Sequence, residues 1–443
     1  MPLNIIIDKS AFQSLSYDEM LRLTYYYKHN ITPVLVMEIL GDLNKEVKEG
    51  KTPSHQRVTD FATKLFPTNT IINQHYTGPL KGELSGDGAI AMDGRPLVGL
   101  GKAVQTEDGK KGWFVEETEE EKAIYNWREG RFSEADHVLS KLWRNTTKQE
   151  DLLVNLKKEL DAKSKKITVK NFQQLDQMVT ATLDNPENAQ QLLIDLSKTS
   201  EVNILRAMAI LKAWQHSGGP PLKHFVPYAY HVLRVNTLFQ VGLQCDLIST
   251  RPTNKVDLEY LYYLPFCQIF TSNDHLHLNL APLLLRKSQY FIKGTELKED
   301  MHRINEQLAS MPEEERMKFR KAPPLNANSF TFQRYHEYFD YPDGFQWQVK
   351  STNLEKADAL KMMKSFEKAN AGPSIDMKNG DDGMFMTRVT LMGRNDPCSC
   401  GSGKKLTECC LTNQQFDEGL KAQGADKSFD KIKIGSANWM GEE

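Results

Sequence analysis

The sequence lacks the features that place a protein in a membrane or mark it for export. No apolar run in its 443 residues approaches the ~20 needed to span a bilayer, and its start, MPLNIIIDKS, has no basic flank, long apolar core or cleavage site. A net charge of -2 excludes a basic coat over the whole chain, so nucleic-acid binding requires a local groove or metal ions. We expect a cytoplasmic protein of two or three domains with no membrane partner.

Cysteine is also scarce, and its distribution is uneven. Of six cysteines, Cys245 and Cys267 stand alone in apolar contexts, which gives no disulfide framework. The other four fall in GRNDPCSCGSGKKLTECC, as a C-x-C pair, eight intervening residues and a C-C pair. Two close thiol pairs joined by a turn can wrap one tetrahedral Zn²⁺. The predicted zinc ligands are Cys398, Cys400, Cys409 and Cys410. The alternatives are a solvated loop with chance cysteines and a redox-active cluster.

The residues between the thiol pairs suit a zinc site. Gly401 and Gly403 permit a tight turn, and Lys404 and Lys405 can offset the negative charge of four thiolates. The segment resembles the SEC-C motif, which occurs at the C-terminus of the bacterial preprotein translocase motor and in many other proteins. This resemblance implies a small zinc knuckle that docks onto protein or ribosome partners and performs no chemistry. The main activity is then expected upstream.

The N-terminal segment predicts alternating strands and helices. NIIIDKSAF opens with a short apolar run, typical of a buried strand, that ends at Asp8. Ser16 and Glu19 form a capping-box pattern at the start of a helix. A second strand is predicted at Pro33 to Val36, running into a helix with Glu38 in its first turn. Such an order indicates an α/β fold with a parallel sheet, whose ligands gather at the carboxyl ends of the strands.

A similar pattern returns far downstream, in TNKVDLEYLYYLPFCQIFTSND. Asn254 is a plausible cap for a short helix with Asp257 in its first turn, which Pro265 ends. FCQIFTS then predicts a strand that ends at Asn273 and Asp274. A carboxylate again lies at the end of a strand.

Together the acids Asp8, Glu38, Asp257 and Asp274 predict a site for divalent cations. Brought into one cleft, they would repel each other by several kcal/mol unless a cation neutralised them. Hard carboxylate oxygens suit Mg²⁺ or Mn²⁺, and one or two such ions can activate water for phosphodiester cleavage. The alternative is ordinary: an aspartate that ends a strand is often a cap, and a glutamate in a first helical turn often compensates the helix dipole.

These motifs resemble the PIN-like nuclease family. The resemblance rests on NIIIDKSAF, PVLVMEIL and VDLEYLYYLPFCQIFTSND, and it implies that the four acids hold the catalytic metal. It also implies a role for Asn273, which precedes the last acid, in orienting a ligand or phosphate. The expected activity is metal-dependent cleavage of nucleic acid, with RNA favoured over DNA by the resemblance alone. Toxin, RNA-processing and phage-defence roles are all compatible with it.

The chain departs from compact PIN-like proteins in the long stretch between Glu38 and Asp257. We therefore predict a PIN-like domain in two halves and a mainly α-helical insertion, followed by three C-terminal segments. The predicted ranges are 1–74 and 222–300 for the PIN-like halves, 75–221 for the insertion, 301–390 for a helical region and linker, 391–412 for the zinc knuckle and 413–443 for a polar tail.

Other features of the sequence carry weaker interpretations. A basic cluster at residues 157–166 could touch phosphate, but a solvated helix face is favoured. His275 and His277 could join the metal site, but exposed or structurally bonded imidazoles are favoured. A non-catalytic adaptor that acts through the knuckle and the helices is the main alternative function. A phosphatase-like enzyme would need a phosphate-cradling loop, and the sequence has no G-x-x-x-x-G-K-[ST].

Overall fold

A computed structural model of the chain provides the fold. It describes residues 3–47, 51–65, 70–98, 101–105, 111–115, 118–149, 151–163, 167–313, 328–339, 374–380, 383–395, 404–409, 411–422 and 431–434. Two compact units divide the chain. The first unit falls within Met1–His75, Gly94–Leu175 and Leu238–Val349, and the second within Tyr76–Asp93, Asp176–Thr237 and Lys350–Glu443. No helix in the described part of the chain is long and apolar enough to cross a membrane.

Strands and helices are numbered in chain order. The strands are β1 Leu3–Ile7, β2 Tyr27–Ile31, β3 Thr70–Ile72, β4 Gly101–Gln105, β5 Lys111–Val115, β6 Ile269–Ser272, β7 Tyr290–Lys293, β8 Ser374–Gly380, β9 Gly383–Gly393 and β10 Lys431–Ile434. The helices up to residue 200 are α1 Lys9–Ser14, α2 Tyr17–Tyr26, α3 Pro33–Gly41, α4 Ser54–Thr63, α5 Thr77–Leu84, α6 Glu119–Arg128, α7 Glu134–Thr147, α8 Asp151–Lys163, α9 Phe172–Leu183 and α10 Pro186–Thr199. The later helices are α11 Ile204–His216, α12 Leu222–Phe225, α13 Pro227–Gln244, α14 Asn254–Leu261, α15 His275–Leu284, α16 Gly294–Ala309, α17 Phe330–Phe339 and α18 Asn413–Ala422.

A five-stranded parallel sheet forms the centre of the first unit, which confirms the predicted α/β class. Its order is β3-β2-β1-β6-β7, and each neighbouring pair is parallel. The chain extends the sheet in one direction from β1 through β2 to β3, and in the other direction through β6 to β7. The order therefore reverses between β1 and β6, and in open α/β sheets ligands bind beside such a switch point, at the carboxyl ends of the strands.

The start of the chain folds as its local signals predict. All five residues of β1 are buried, as expected for the middle strand of a parallel sheet covered on both faces. Asp8 follows β1 and caps α1. At the next helix, α2, the Ser16 hydroxyl accepts from the backbone N–H of Glu19, and the Glu19 carboxylate accepts from the N–H of Ser16. The predicted capping box is confirmed.

The predicted strand at Pro33 to Val36 is wrong. The second strand is β2, Tyr27–Ile31, and Pro33 is the first residue of α3, whose N-cap is Thr32. Proline suits the first helical position, because its fixed φ matches the helix and its missing N–H would have no partner there. The sequence did not predict β2 because this strand contains Lys28, His29 and Asn30 rather than an apolar run. Burial lowers the pKa of His29 to about 3, so this buried imidazole is neutral.

The second unit contains α5, α10, α11 and the amino-terminal part of α13. Glu83 of α5 is buried and holds the start of α13: its carboxylate accepts from the backbone N–H of Ala229 at 2.6 Å and of Ile90 at 3.0 Å. Burial raises the pKa of Glu83 to about 7, although the backbone donors oppose that rise. Between residues 75 and 221 the described elements are helices apart from the antiparallel pair β4 and β5.

The C-terminal part of the chain differs from its prediction. The predicted helical region and linker at residues 301–390 contains a strand, since Ser374–Gly380 forms β8 and pairs antiparallel with β9. Ile375 and Met377 alternate with polar residues, a strand pattern that the sequence analysis missed, and Asn379 and Gly380 belong to β8 itself, opposite Met384 and Gly383. In the predicted polar tail, Asn413–Ala422 is helical and β10 pairs with β9.

Candidate acidic site at the carboxyl edge of the sheet

The predicted acids lie where the strand order of the sheet reverses. Asp8 follows β1, and Asn273 and Asp274 follow β6, the strand that pairs with β1. Both aspartates are N-caps: the Asp8 carboxylate accepts from the N–H of Ala11, and the Asp274 carboxylate accepts from the N–H of Leu276, each at 2.8 Å. The parallel pairing of β1 with β6 therefore brings two acids from distant parts of the sequence to one edge of the sheet.

Asp8 is nearly fully buried and is surrounded by donors. The hydroxyl of Ser10 lies 2.9 and 2.8 Å from its two oxygens, and the hydroxyl of Ser272 donates to Oδ2 at 2.6 Å. Ser272 Oγ also accepts from the backbone N–H of Asp274 at 2.9 Å. This serine therefore joins the two strand-end aspartates, which sequence reasoning did not anticipate.

His277, on α15, supplies a buried positive charge beside Asp8. Its Nε2 lies 2.6 Å from the carbonyl oxygen of Asp257, which can only accept, so Nε2 carries a proton. Its Nδ1 lies 2.8 Å from Ser272 Oγ and 3.4 Å from Asp8 Oδ2. The single hydroxyl proton of Ser272 goes to Asp8, so Nδ1 must donate as well, and the ring is an imidazolium.

The electrostatic surroundings of His277 also favour a proton on both ring nitrogens. Burial alone would lower the pKa of His277, but its hydrogen bond to Asp8 and the negative charges of Asp8 and Asp257 raise this pKa to about 9. The ring packs edge-on against Tyr260 and Phe270, with centroids 5.6 and 5.1 Å away. Of the two histidines considered in the sequence, His277 is thus structurally bonded and His275 is exposed.

Arg251 bridges the other two aspartates. Its Nη2 donates to Asp274 Oδ2 at 2.8 Å and to Asp257 Oδ2 at 3.1 Å. Asp257 lies in the first turn of α14, as predicted, but Asn254 is not the cap: the N-cap is Thr253, and the Asn254 amide donates to the carbonyl of Ser249. Burial raises the pKa of Asp257 to about 6, although the charges of His277 and Arg251 oppose that rise.

Glu38 completes the group from α3. Because α3 begins at Pro33, Glu38 lies in the second turn rather than in the predicted first turn. Its Oε2 accepts from the hydroxyl of Tyr260 at 2.6 Å. Burial raises the pKa of Glu38 to about 7 against the charge of Lys9, and the charges of Asp257 and Asp8 add to the rise. Asp257 therefore interacts electrostatically with each of the other three acids, and Glu38 also interacts with Asp8.

Asn273 has a structural task in this arrangement. Its backbone N–H donates to Ser10 Oγ at 2.9 Å, and its side-chain oxygen accepts from the N–H of Thr295 at 3.0 Å, near the start of α16. Gly294 allows this close packing: a Cβ there would lie 2.7 Å from both Ala11 Cβ and Asn273 Nδ2. The amide thus ties α16 to the edge of the sheet, and its proposed contact with a ligand stays a prediction.

Two surface features bear on the expected contact with phosphate. Lys157, in the predicted basic cluster, donates to the carbonyls of Leu243 and Gln244 at the end of α13 and pairs with Asp246 at 2.9 Å. This lysine is a helix cap, while residues 164–166 of the cluster lie outside the described residues.

The other feature is an open cleft of about 790 Å³ beside buried Asp42. Arg57, Lys9 and Lys45 lie 2.9, 3.1 and 3.9 Å from the Asp42 carboxylate, which leaves net positive charge around it. Lys9 also donates to the carbonyl of Glu38 at 2.6 Å and so links this cleft to the acidic group. The charged residues that line the cleft are Asp42, Lys45, Glu46, Lys51, Arg57, Asp60 and Lys64.

The donor chemistry of the acidic group fits Mg²⁺ or Mn²⁺, since carboxylate oxygens are the preferred ligands of these ions. Burial also raises two of the carboxyl pKa values, a shift that a bound divalent cation would reverse. In the described part of the chain, no three His, Cys, Asp or Glu side chains form a metal-binding arrangement. Asp8 instead pairs with His277, and Asp257 and Asp274 share Arg251.

Sequence reasoning found the acids but missed their partners, Ser272, Arg251 and Tyr260. Tyr260 stands three residues after Asp257 in a helix, so the i, i+3 spacing alone could have placed the two on neighbouring positions. For Arg251, in the loop before α14, no local pattern indicates its partners.

The predicted zinc ligands Cys398, Cys400 and Cys410 lie outside the described residues, and Cys409 follows a short 3₁₀ turn at Leu406–Glu408. Around this turn, Leu406 and Phe416 are buried, and Arg394 donates to Asn413 at 2.8 Å and to Asp417 at 2.5 Å. The Arg394 guanidinium also lies over the Phe416 ring, 4.8 Å from its centroid. The residues that flank the cysteines thus pack against α18.

Comparison with known proteins identifies one part of the chain. The family model described as SEC-C motif matches residues 394–412, in agreement with the resemblance seen in the sequence. No curated protein and no solved structure matches the chain.

Proposed function

We propose that the protein is a metal-dependent nuclease of PIN-like type, with RNA as its substrate. One observation carries the proposal: Asp8, Glu38, Asp257 and Asp274 belong to four separate elements and gather beside the strand-order switch point of a parallel sheet. Carboxyl groups whose pKa values are perturbed by burial and by specific charged partners are typical of functional sites.

In this proposal the four acids hold Mg²⁺ or Mn²⁺ through their carboxylate oxygens. The bound ion would supply an activated water and would stabilise the leaving oxygen in phosphodiester cleavage. The residues around the acids hold them in place. Ser272 fixes Asp8 relative to Asp274, His277 offsets the charge of Asp8, and Tyr260 orients Glu38.

The choice of nucleic acid as substrate draws on the cleft beside Asp42. A chain with a net charge of -2 needs a local positive surface to hold a phosphate backbone. The lining of this cleft includes four cations and three carboxylates, a net charge of +1, and Lys9, which pairs with Asp42, donates to the backbone carbonyl of Glu38. The preference for RNA over DNA rests on the PIN-like resemblance alone.

For the C-terminal segment we propose a zinc knuckle that docks onto a protein or ribosome partner. The family match at residues 394–412 and the four closely spaced thiols support a structural Zn²⁺. Measurement of metal content by mass spectrometry is expected to give one zinc per chain in the wild type and much less in Cys398→Ser or Cys409→Ser. Equal zinc in all three proteins would contradict the knuckle.

The nuclease proposal is tested with labelled single-stranded RNA, structured RNA and single-stranded DNA in the presence of Mg²⁺ or Mn²⁺. Asp8→Asn and Asp274→Asn are expected to lower the cleavage rate by about a hundredfold or more, and EDTA to abolish it. Asparagine is also a good N-cap, so these variants retain the caps of α1 and α15. Asp195→Asn, an exposed change on α10, is the matched control and is expected to cleave like the wild type.

A non-catalytic adaptor is the second candidate, and one observation favours it. His277 already pairs with Asp8, and Arg251 is shared by Asp257 and Asp274, so protein cations already occupy three of the four acids. The adaptor reading predicts that no substrate is cut and that the wild type, Asp8→Asn and Asp274→Asn are indistinguishable. Cleavage that vanishes in both variants would exclude it.

A further inference from the structure

We propose that Arg251 is an internal counter-cation that competes with the divalent metal ion for Asp257 and Asp274. This inference rests on the proposed function and concerns the regulation of the same site. The metal must displace the guanidinium before it can reach both carboxylates. The resting site is therefore closed by a side chain of the protein itself.

The geometry of the bridge is that of a single shared cation. One atom, Nη2 of Arg251, donates to Asp274 Oδ2 at 2.8 Å and to Asp257 Oδ2 at 3.1 Å. The two aspartate side chains are only 14% and 13% exposed, whereas the arginine side chain is 53% exposed. The cation thus reaches the buried acids from the solvent side, where a metal ion would also arrive.

The two protein cations of the site differ in whether they can leave. His277 is fully buried, with both ring nitrogens engaged and aromatic rings packed against it. Arg251 lies in the loop between α13 and α14, and its flexible side chain can swing into water without loss of core packing. Only Arg251 is therefore displaceable, while His277 stays as a fixed charge beside Asp8.

Competition of this kind predicts a clear effect on metal affinity. In the wild type, metal binding has to break two charge-assisted hydrogen bonds, which are partly weakened by solvent screening. Without the guanidinium, the two aspartates have no protein cation that the metal ion must displace. We expect Arg251→Ala to bind Mn²⁺ about tenfold more tightly than the wild type.

The test is Mn²⁺ binding to the full-length protein, followed by the electron paramagnetic resonance of free Mn²⁺ and by titration calorimetry. Four proteins are compared: wild type, Arg251→Ala, Arg251→Lys and Arg303→Ala. Arg251→Lys keeps the charge and is expected to lie between the wild type and Arg251→Ala. Arg303 is exposed on α16, so Arg303→Ala controls for the loss of one positive charge elsewhere. Asp274→Asn, made in the wild-type and Arg251→Ala proteins, assigns the binding to the acidic group.

The outcomes separate this inference from the proposed function. Tighter Mn²⁺ binding in Arg251→Ala, lost again when Asp274→Asn is added, supports competition. Asp274-dependent binding that is unchanged or weaker in Arg251→Ala overturns competition and leaves the nuclease proposal standing. If no protein of the set binds Mn²⁺ in an Asp274-dependent way, both proposals fail. Should Arg251→Ala not fold, Arg251→Gln gives the same comparison with a longer polar side chain.

Discussion

Buried carboxylates occur in both units of the protein, but they are balanced differently. Glu83, in the second unit, accepts from backbone N–H groups of Ile90 and Ala229 and holds a helix start. Asp8, in the first unit, also caps a helix, yet it shares its surroundings with further acids and with the cation His277. Burial of a carboxyl group therefore does not by itself mark a functional site. Several acids gathered around protein cations distinguish the acidic group from a structural cap.

The strongest test of this comparison is Glu83→Ala. The substitution leaves the N–H groups of Ile90 and Ala229 buried without their acceptor, which is expected to lower the free energy of unfolding by about 2–4 kcal/mol. Urea denaturation measures the change. Glu187→Ala, which removes an exposed glutamate on α10, is the control and should cost less than about 0.5 kcal/mol. If Glu83→Ala also lowers the free energy of unfolding by less than about 0.5 kcal/mol, Glu83 has no structural role of this kind.

Gly294→Ala tests the packing that supports the acidic group without changing an acid. The new Cβ would lie 2.7 Å from Ala11 Cβ and from Asn273 Nδ2, so α1 or Asn273 has to move. We expect a loss of about 2–3 kcal/mol in urea denaturation, together with weaker Mn²⁺ binding. Gly82→Ala, at a helical glycine whose added Cβ would meet only Asp87 Oδ2 at 3.7 Å, an ordinary contact, controls for a Gly-to-Ala change in general. Unchanged stability and Mn²⁺ affinity in Gly294→Ala would contradict the tight packing.

A pH series sharpens the comparison at Glu83. Burial raises the pKa of Glu83 from an ordinary 4.5 to about 7, so the folded protein binds more protons than the unfolded chain between these values. The free energy of unfolding contributed by this group therefore falls as pH rises from about 5 to about 7.5, by about 2–3 kcal/mol. Glu83→Gln does not titrate, and every other group is common to both proteins.

The readout is the difference in unfolding free energy between wild type and Glu83→Gln, measured in urea at several pH values. As pH rises, the free energy of unfolding of the wild type should fall relative to that of Glu83→Gln. A difference that stays constant over this range would mean that the backbone N–H donors outweigh burial and that Glu83 is ionised throughout it.

Ser272→Ala is expected to have the smallest effect. It removes the hydroxyl that donates to Asp8 and accepts from the N–H of Asp274, at a cost of about 1 kcal/mol. Because Ser272 fixes Asp8 relative to Asp274, Ser272→Ala should lower the Mn²⁺ affinity more than Ser10→Ala does. The Ser10 hydroxyl contacts only Asp8 among the acids. Equal affinities for the two variants would show that Ser272 has no such positioning role.

Local signals in the sequence were sufficient for much of the first unit. The apolar run before Asp8, the capping box at Ser16 and the aromatic and β-branched strand before Asn273 all predicted elements that the structure contains. Each of these signals lies within a few residues and expresses backbone and capping preferences. The same local reasoning failed at β2, where polar residues fill a buried strand and Pro33 begins a helix.

The sequence by itself determined the elements that end in acids, their order along the chain and the SEC-C cysteine spacing. Only the tertiary structure decided that β1 pairs with β6, which places Ser272 against Asp8 although they are 264 residues apart in the chain. It also decided that Arg251 pairs with Asp257 and Asp274, and that His277 pairs with Asp8. The reason is physical: caps and strand patterns depend on neighbouring residues, whereas burial, ion pairing and pKa depend on side chains that long-range pairing of strands brings together.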